Sequence, residues 1–316
     1  MRAAWQWTVA TVLVACGGST SGDTVRVTVP QGAPFTAVAE SLAQHDVIGS
    51  PSLFRTYAIL TRKDRSVRAG VYEFREGMSY GDAIAVLVRG RPAMDRLILP
   101  EGLMATEIAT AVENQLGMPA ATFLAATRPA ALADSVGARE QTLEGYLYPS
   151  TYLVRVGADA HEIVRQMVAE FEDQWRPEWN ARLEELGMSR DEIVTLASII
   201  EGEARHSGDR PYVSSVYHNR LDRGMRLQAD PTVIYALGRR RRLFERDYEL
   251  SSRYNTYRID GLPPHPIGQP SAASIEAALY PRRTNFLYFV AGEDGKHVFS
   301  RTYSDHLATI RAIRGR

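Results

Sequence analysis

A predicted helix that carries an acid on its apolar side is the feature that most constrains this chain. Ser189, followed three residues later by Glu192, is the capping-box pattern that begins a helix, and an apolar run comes next. The pattern predicts a helix over residues 190–205. At about 100° per residue, Glu201 falls within the arc that the apolar side chains cover. A helix of this kind has to be packed, so Glu201 is expected to face the core or a cleft.

The predicted burial of Glu201 has a chemical consequence. Loss of hydration disfavours the charged carboxylate, which raises its pKa towards the range in which an acid donates a proton near neutral pH. The sequence therefore predicts Glu201 as a general acid. The alternative is a structural ion pair, either with Arg205 at i+4 or with a distant arginine.

Several ordered motifs follow or precede this helix. The helix itself contains ASIIE at 197–201, and the motifs beyond it are NRL at 219–221, GMRLQADPTVIY at 224–235, YNTY at 254–257 and GLPP at 261–264. Upstream lie LPEG at 99–102 and LEGYLYPSTY at 143–152. Together they resemble the MltG/YceG family of endolytic murein transglycosylases, over nearly everything after about residue 24. Gly202 departs from the larger polar residue that follows the glutamate in some members of that family.

The resemblance implies a reaction. It is cleavage of the β-1,4 bond between N-acetylmuramic acid and N-acetylglucosamine inside a glycan strand, with Glu201 as the acid. The ionised Glu201 would then deprotonate the C6 hydroxyl of the muramic acid, which closes a 1,6-anhydro ring without water and ends strand elongation. No cofactor is expected. Polar and aromatic side chains of the motifs are candidates for contact with the sugars: Gln228, Asn255, Asn219, Thr232, Tyr235 and Tyr257.

Other chemistries remain as alternatives at this point. A simple hydrolase would need a second carboxylate, for which Glu203, Asp230 and Glu245 are the nearby acids, although Asp230 before a proline is typical of a turn. A pyridoxal-phosphate lyase is disfavoured because the chain has only two lysines. The alternative from a different class is a non-catalytic, peptidoglycan-binding lipoprotein scaffold.

The amino terminus predicts export. The apolar stretch at 3–15 is too short to span a bilayer and is typical of a secretory signal. Residues 13–16, LVAC, resemble a lipobox, in which Cys16 would be acylated; relatives usually carry an uncleaved transmembrane helix instead. Residues 1–16 are thus a signal or anchor and 17–23 a flexible tether. Either anchor places the protein on the extracytoplasmic, periplasmic side of the cell membrane.

Composition and patterning predict an α+β protein. The 316 residues carry a formal net charge of zero, which argues against wholesale nucleic-acid binding. A strand, helix, helix, strand order is predicted within residues 24–91, and it resembles the membrane-tethered LysM-like module at the front of the family. A linking subdomain at 92–158 and a mixed α/β catalytic domain at 159–316 would follow. By resemblance, the partners are peptidoglycan glycan strands and penicillin-binding glycan polymerases.

Overall fold

The fold was obtained as a computed structural model. The structure describes residues 23–30, 32–90, 93–204, 206–292 and 294–315. The predicted signal, Cys16 and all of the tether except Asp23 lie outside the described residues. None of the helices in the described ranges has the length and apolar character that a bilayer crossing requires.

The chain folds into two compact units. Of the described residues, those up to Asp95 together with Arg155–Gly157 form one unit, and those from Arg96 to Val154 and from Ala158 onward form the other. The described part of the first unit has the predicted strand, helix, helix, strand order, followed by a third helix. The elements are β1 (Thr24–Val29), α1 (Phe35–Gln44), α2 (Pro51–Leu60), β2 (Gly70–Arg75) and α3 (Tyr80–Arg89).

The first unit packs its three helices with a two-stranded sheet. β1 and β2 are antiparallel, with Val27 opposite Tyr72, and both of these side chains are buried in the core of the unit. Ser50 caps α2, accepting a hydrogen bond from the backbone N–H of Leu53 at 3.4 Å. The alternating valines of β1 therefore produce a half-buried strand, as the sequence pattern predicts.

The second unit is mostly helical. β3 (Met94–Ile98), which begins at the boundary of the units, pairs with β4 (Thr151–Arg155), and β5 (Tyr288–Ala291) pairs with β6 (His297–Ser300). Its helices are α4 (Ala105–Leu116), α5 (Ala120–Ala126), α6 (Ala130–Ser135), α7 (Ala160–Gln174), α8 (Glu178–Leu186), α9 (Arg190–Glu203), α10 (Arg210–Asp222), α11 (Asp230–Leu237), α12 (Ala272–Leu279) and α13 (Tyr303–Arg314). The protein is thus α+β.

One continuous core runs through the second unit. It contains residues of the predicted linking subdomain, such as Ile108 and Tyr146, together with residues of the predicted catalytic domain, such as Met167 and Ile199. Residues from both sides of position 158 thus contribute to one core, and the predicted domain boundary itself stays a prediction.

Helix α9 lies in the middle of this core. The predicted capping box is present: Ser189 Oγ accepts from the Glu192 N–H at 3.3 Å, and Glu192 accepts from the Ser189 N–H at 2.9 Å. Residues 193–200 are all buried, including Thr195 and Ser198. The helix ends at Glu203 rather than at the predicted residue 205.

Gly202 sits where α11 approaches the end of α9. A Cβ atom at this position would lie 2.7 Å from the ring of Pro231. The glycine therefore permits close contact between the two helices, which explains why a larger residue does not follow Glu201 in this chain.

We expect the substitution Gly202→Ala to destabilise the protein by about 1–3 kcal/mol, because the new methyl group overlaps Pro231. Gly208→Ala is the matched control, since a Cβ there meets open space, and it should change the free energy of unfolding by less than about 0.5 kcal/mol. Urea unfolding of both variants measures the difference. Equal stability of Gly202→Ala and the wild type would contradict the proposed contact.

Candidate active site around Glu201

Glu201 lies near the end of α9, and its side chain is only 7% exposed. Both of its carboxylate oxygens accept hydrogen bonds. Arg210 Nη2 donates to Oε1 at 2.9 Å, while the backbone N–H and the hydroxyl of Ser271 donate to Oε2 at 2.9 and 2.5 Å. The helical periodicity therefore predicted the burial of this acid correctly, and the structure adds a complete set of donors.

The expected direction of the Glu201 pKa shift is wrong. Burial does push the pKa upward, as the sequence argument supposed. However, hydrogen bonds from the Ser271 hydroxyl and N–H, from Ser274 and from Arg210 outweigh burial, so the pKa lies below its ordinary value. In the structure described here, Glu201 is consequently favoured as a carboxylate.

Arg210 is the partner that the ion-pair alternative required. It lies at the start of α10, and besides its bond to Glu201 its Nε donates to Ser274 Oγ at 3.0 Å. The other suggested partner, Arg205, lies outside the described residues. An ion pair does not exclude chemistry, since perturbed and paired acids occur at functional sites as well as in structural networks.

The loop between GLPP and α12 forms one wall around Glu201. Ser271 caps α12 and belongs to this loop. Two residues earlier, Gln269 accepts from the Gly102 N–H at 2.8 Å and donates its own N–H to Leu103 at 2.9 Å. A Cβ on Gly102 would lie 3.6 Å from Glu201 Cγ, so the LPEG segment also borders the acid.

Two of the three other acids near the motif, Glu203 and Asp230, accept hydrogen bonds from neighbouring side chains. Glu203 accepts from the Tyr217 hydroxyl at 3.1 Å, and burial together with the charge of Asp230 raises its pKa to about 7. Asp230 opens α11 and accepts from the Tyr257 hydroxyl at 2.7 Å. Glu245 is exposed in a short 3-10 helix. A hydrogen-bonding role thus accounts for Glu203 and Asp230.

A buried acid that the sequence argument did not single out lies in the LEGYLYPSTY segment. Glu144 is 4% exposed and accepts hydrogen bonds from the Ala105 N–H at 3.0 Å, Gln269 Nε2 at 2.6 Å and the Tyr235 hydroxyl at 3.3 Å. Burial raises the pKa of Glu144 to about 8 against the lowering effect of these donors. The sequence did contain a signal for the burial of Glu144, because this acid lies within a run of apolar and aromatic residues.

Comparison with known proteins bears directly on this arrangement. The model of the YceG-like family matches residues 27–312. This chain belongs to the YceG-like family. It is 32% identical over 303 residues to the endolytic murein transglycosylase of Bacillus subtilis, which covers 90% of this chain and 84% of that protein.

The chain is also similar to a second transglycosylase and to a solved crystal structure. The endolytic murein transglycosylase of Streptococcus pneumoniae is 27% identical over 315 residues, and the match spans 89% of this chain but only 57% of that longer protein. The crystal structure of a putative yceG-like protein from Listeria monocytogenes superposes with a TM-score of 0.64 at 32% identity, covering 92% of this chain and 100% of that one. The fold is therefore shared.

The predicted sugar contacts fall into three groups by exposure. Gln228 is exposed and has a positive φ of 50°, and its side chain makes no hydrogen bond to the part of the chain that the structure describes. Asn255 and Thr232 are 0% exposed, and both bond internally: Asn255 Nδ2 donates to the carbonyls of Tyr248 and Leu250, and Thr232 Oγ1 donates to that of Ala229. Contact between these side chains and sugar stays a prediction.

The remaining predicted contacts have intermediate exposure. The hydroxyl of Tyr235 donates to Glu144, and that of Tyr257 donates to Asp230. Asn219 Nδ2 donates to the carbonyls of Thr284 and Phe286. These bonds fix loops around the motifs, and a role in binding sugar stays a prediction here as well.

A groove of about 1050 Å³ opens between the start of α9, the end of α10 and the segment after α12. Asn219 and the GLPP motif line it, whereas Glu201 does not. Four arginines line it, namely Arg139, Arg282, Arg283 and Arg301, and of these Arg139 is paired with Asp191 and Glu192 in the same wall. The groove is therefore separate from the carboxylate itself.

We expect Ser271→Ala to raise the pKa of Glu201, because it removes the hydroxyl that donates to Oε2. Ser79→Ala is the matched control: it removes the N-cap of α3, as the first variant removes that of α12, but it lies in the other unit. Titration of ¹³C-labelled glutamate by NMR measures both. An unchanged Glu201 pKa in Ser271→Ala would refute the bond.

The raised pKa of Glu144 predicts a pH dependence of stability. Since its pKa rises from 4.5 in the unfolded chain to about 8, its contribution to stability is fully present below pH 4.5 and is lost as the pH rises through about 8. Glu144→Gln should reduce this decline, which is on the order of a few kcal/mol at most. Urea unfolding between pH 4.5 and 8 tests it, with the exposed Glu249→Gln as a control that keeps the wild-type profile.

Proposed function

We propose that this protein is an endolytic murein transglycosylase that cleaves the β-1,4 bond between N-acetylmuramic acid and N-acetylglucosamine within glycan strands, with Glu201 as the catalytic residue. One observation carries the proposal: the glutamate of the family-type ASIIE motif is buried, and donors bind both of its oxygens. The names of the relatives in Bacillus subtilis and Streptococcus pneumoniae support the reaction class.

The first step is protonation of the leaving glycosidic oxygen by Glu201. The acid must hold a proton, whereas its hydrogen bonds favour the carboxylate. A bound glycan excludes water and strengthens the effect of burial, which already raises the pKa. The hydroxyl of Ser271 can serve both states, since a hydroxyl donates to a carboxylate and accepts from a carboxylic acid.

The second step returns the proton. The ionised Glu201 accepts the proton of the C6 hydroxyl of the muramic acid while the oxygen of that hydroxyl bonds to C1 of the same sugar. The 1,6-anhydro ring closes in this way, and no water is consumed. The attacking hydroxyl belongs to the same sugar, which gives it a high effective concentration. Arg210 and Ser271 stabilise the carboxylate that takes up this proton.

The structural use of the neighbouring acids supports a single-carboxylate mechanism. A hydrolase needs a second carboxylate, as base or nucleophile, across the scissile bond. Glu203 and Asp230 instead accept hydrogen bonds from Tyr217 and Tyr257. Glu201 therefore acts in turn as acid and base.

The finer assignments belong to the same proposal. The first unit is a LysM-like module that binds N-acetylated glycan, and its strand, helix, helix, strand order supports this. Acylated Cys16 or an uncleaved anchor holds the protein to the outer face of the cell membrane, and penicillin-binding glycan polymerases supply the nascent strands. The apolar stretch ahead of Cys16 supports the anchor.

The test uses the chain from Asp23 onward with uncrosslinked glycan strands, and mass spectrometry of the products. We expect internal cleavage with 1,6-anhydro ends, reduced at least about 100-fold in Glu201→Gln and retained in Glu245→Gln, an exposed acid of the same region. Reducing ends would indicate hydrolysis. Intact strands with retained glycan binding would indicate a non-catalytic scaffold.

A further inference from the structure

Glu144 connects two segments that border Glu201. Its carboxylate accepts the N–H of Ala105, the first residue of α4, at 3.0 Å. It also accepts from Gln269 Nε2 at 2.6 Å. Ala105 directly follows the segment that contains Gly102 and Leu103, and Gln269 belongs to the loop that leads to Ser271. A single buried carboxylate therefore ties both segments together.

Gln269 is held in one orientation by its neighbours. Its side-chain oxygen accepts from the Leu147 N–H at 2.9 Å, so its amide nitrogen faces Glu144. Its backbone pairs with Gly102 and Leu103, and it is 1% exposed. All of the hydrogen-bonding groups of this buried residue except one amide hydrogen are thereby used, and none contacts Glu201 directly.

The path from Gln269 to the acid is short. Ser271 follows two residues later and donates two hydrogen bonds to Glu201 Oε2. Gly102, the backbone partner of Gln269, borders Glu201 Cγ. Displacement of Gln269 would thus move both Ser271, which donates to Glu201, and the backbone at Gly102, which borders Glu201.

We propose that Glu144 is a positioning residue for the reaction, acting through Gln269 to hold Ser271 in hydrogen-bonding distance of Glu201. This inference rests on the proposed function, because its consequence is a change in the acid that cleaves the glycan. Glu144 contacts neither Glu201 nor Ser271 and takes no part in proton transfer to the substrate.

The proposal concerns hydrogen bonds rather than charge. A glutamine at 144 can present its oxygen to Ala105 and Gln269 and its amide to the Tyr235 hydroxyl, which can accept as well as donate. A leucine at 144 leaves the buried N–H groups of Ala105 and Gln269 without an acceptor. Glu144→Gln should therefore keep the geometry of the loop, and Glu144→Leu should release it.

The experiment measures kcat, KM and the pH profile of anhydro-product formation. In Glu144→Leu, kcat should fall about 10- to 100-fold, the loss expected when a catalytic group is misplaced by about 1 Å, with little change in KM. Glu144→Gln should retain kcat within about threefold, since every acceptor role at Oε1 is preserved. Gln269→Leu removes the same bond from the other side and should reproduce the loss.

The pH profile separates positioning from general destabilisation. Activity requires protonated Glu201, so kcat/KM falls as the pH rises past its pKa. Loss of the Ser271 bonds raises that pKa, and the descending limb should move to higher pH in Glu144→Leu. The charged and titratable groups facing Glu201 are Arg210 and Tyr148. Those facing Glu144 are Glu107, Tyr235 and Tyr254, and Arg128, Glu140 and His265 line the same cavity. None of them is altered in the variant.

A double-mutant cycle gives the decisive comparison. If Glu144 acts through Ser271, the variant carrying both Glu144→Leu and Ser271→Ala should lose no more activity than the slower single variant. Val112→Ala is the control, because it truncates a buried side chain of α4 without touching the loop. It should lower Tm while kcat and the pH limb stay as in the wild type.

The outcomes are distinct. Multiplicative losses in the double variant, an unmoved pH limb, or a wild-type kcat in both Glu144→Leu and Gln269→Leu would overturn the proposal. Loss of kcat in Glu144→Gln with an unchanged Tm would also overturn it, since that would assign a role to the charge. Absence of anhydro products from the wild-type protein would instead refute the proposed function itself.

Discussion

The pair of hydrogen bonds from Ser271 to Glu201 is the contact on which the rest of the site depends. A carboxylate enclosed by the core of α9 is costly unless donors replace its lost hydration. Hydrogen bonds to a charged group contribute about 1.5–3 kcal/mol each, and Ser271 donates two to one oxygen while Arg210 donates to the other. The loop that carries Ser271 has to be placed accurately, and the hydrogen bonds of Gln269 to Gly102, Leu103 and Glu144 serve that placement.

The same contact reconciles two demands on one side chain. In the proposed reaction Glu201 first gives and then takes a proton, so it needs an environment that supports both protonation states. The hydroxyl of Ser271 can reverse its direction, whereas its N–H and Arg210 cannot, so the unliganded site favours the ionised form. Exclusion of water by the substrate works in the opposite sense. In that proposal, the free energy of glycan binding helps Glu201 to take up its proton.

Patterns in the sequence correctly predicted those features of α9 that depend on residues close together in the chain. The start of α9, its capping box and the inward position of Glu201 follow from neighbours within a few residues. The two donors of Ser271 were missed because this residue lies 70 residues further along the chain and carries no periodic signal. The predicted direction of the Glu201 pKa shift was wrong for the same reason, because burial was considered without the donors of Ser271. Glu144 lay within a motif already singled out, but its partner Gln269 is 125 residues away.

The site gathers contributions from the LPEG segment near residue 102, from Glu144, from α9 and α10, and from the loop that ends at Ser271. As the chain is synthesised from its amino terminus, the acid exists long before the last of its donors does. An incomplete chain that ends before residue 271 holds the glutamate without the loop that places it. The hydrogen-bonding environment of Glu201 is thus complete only once residue 271 has been added to the chain.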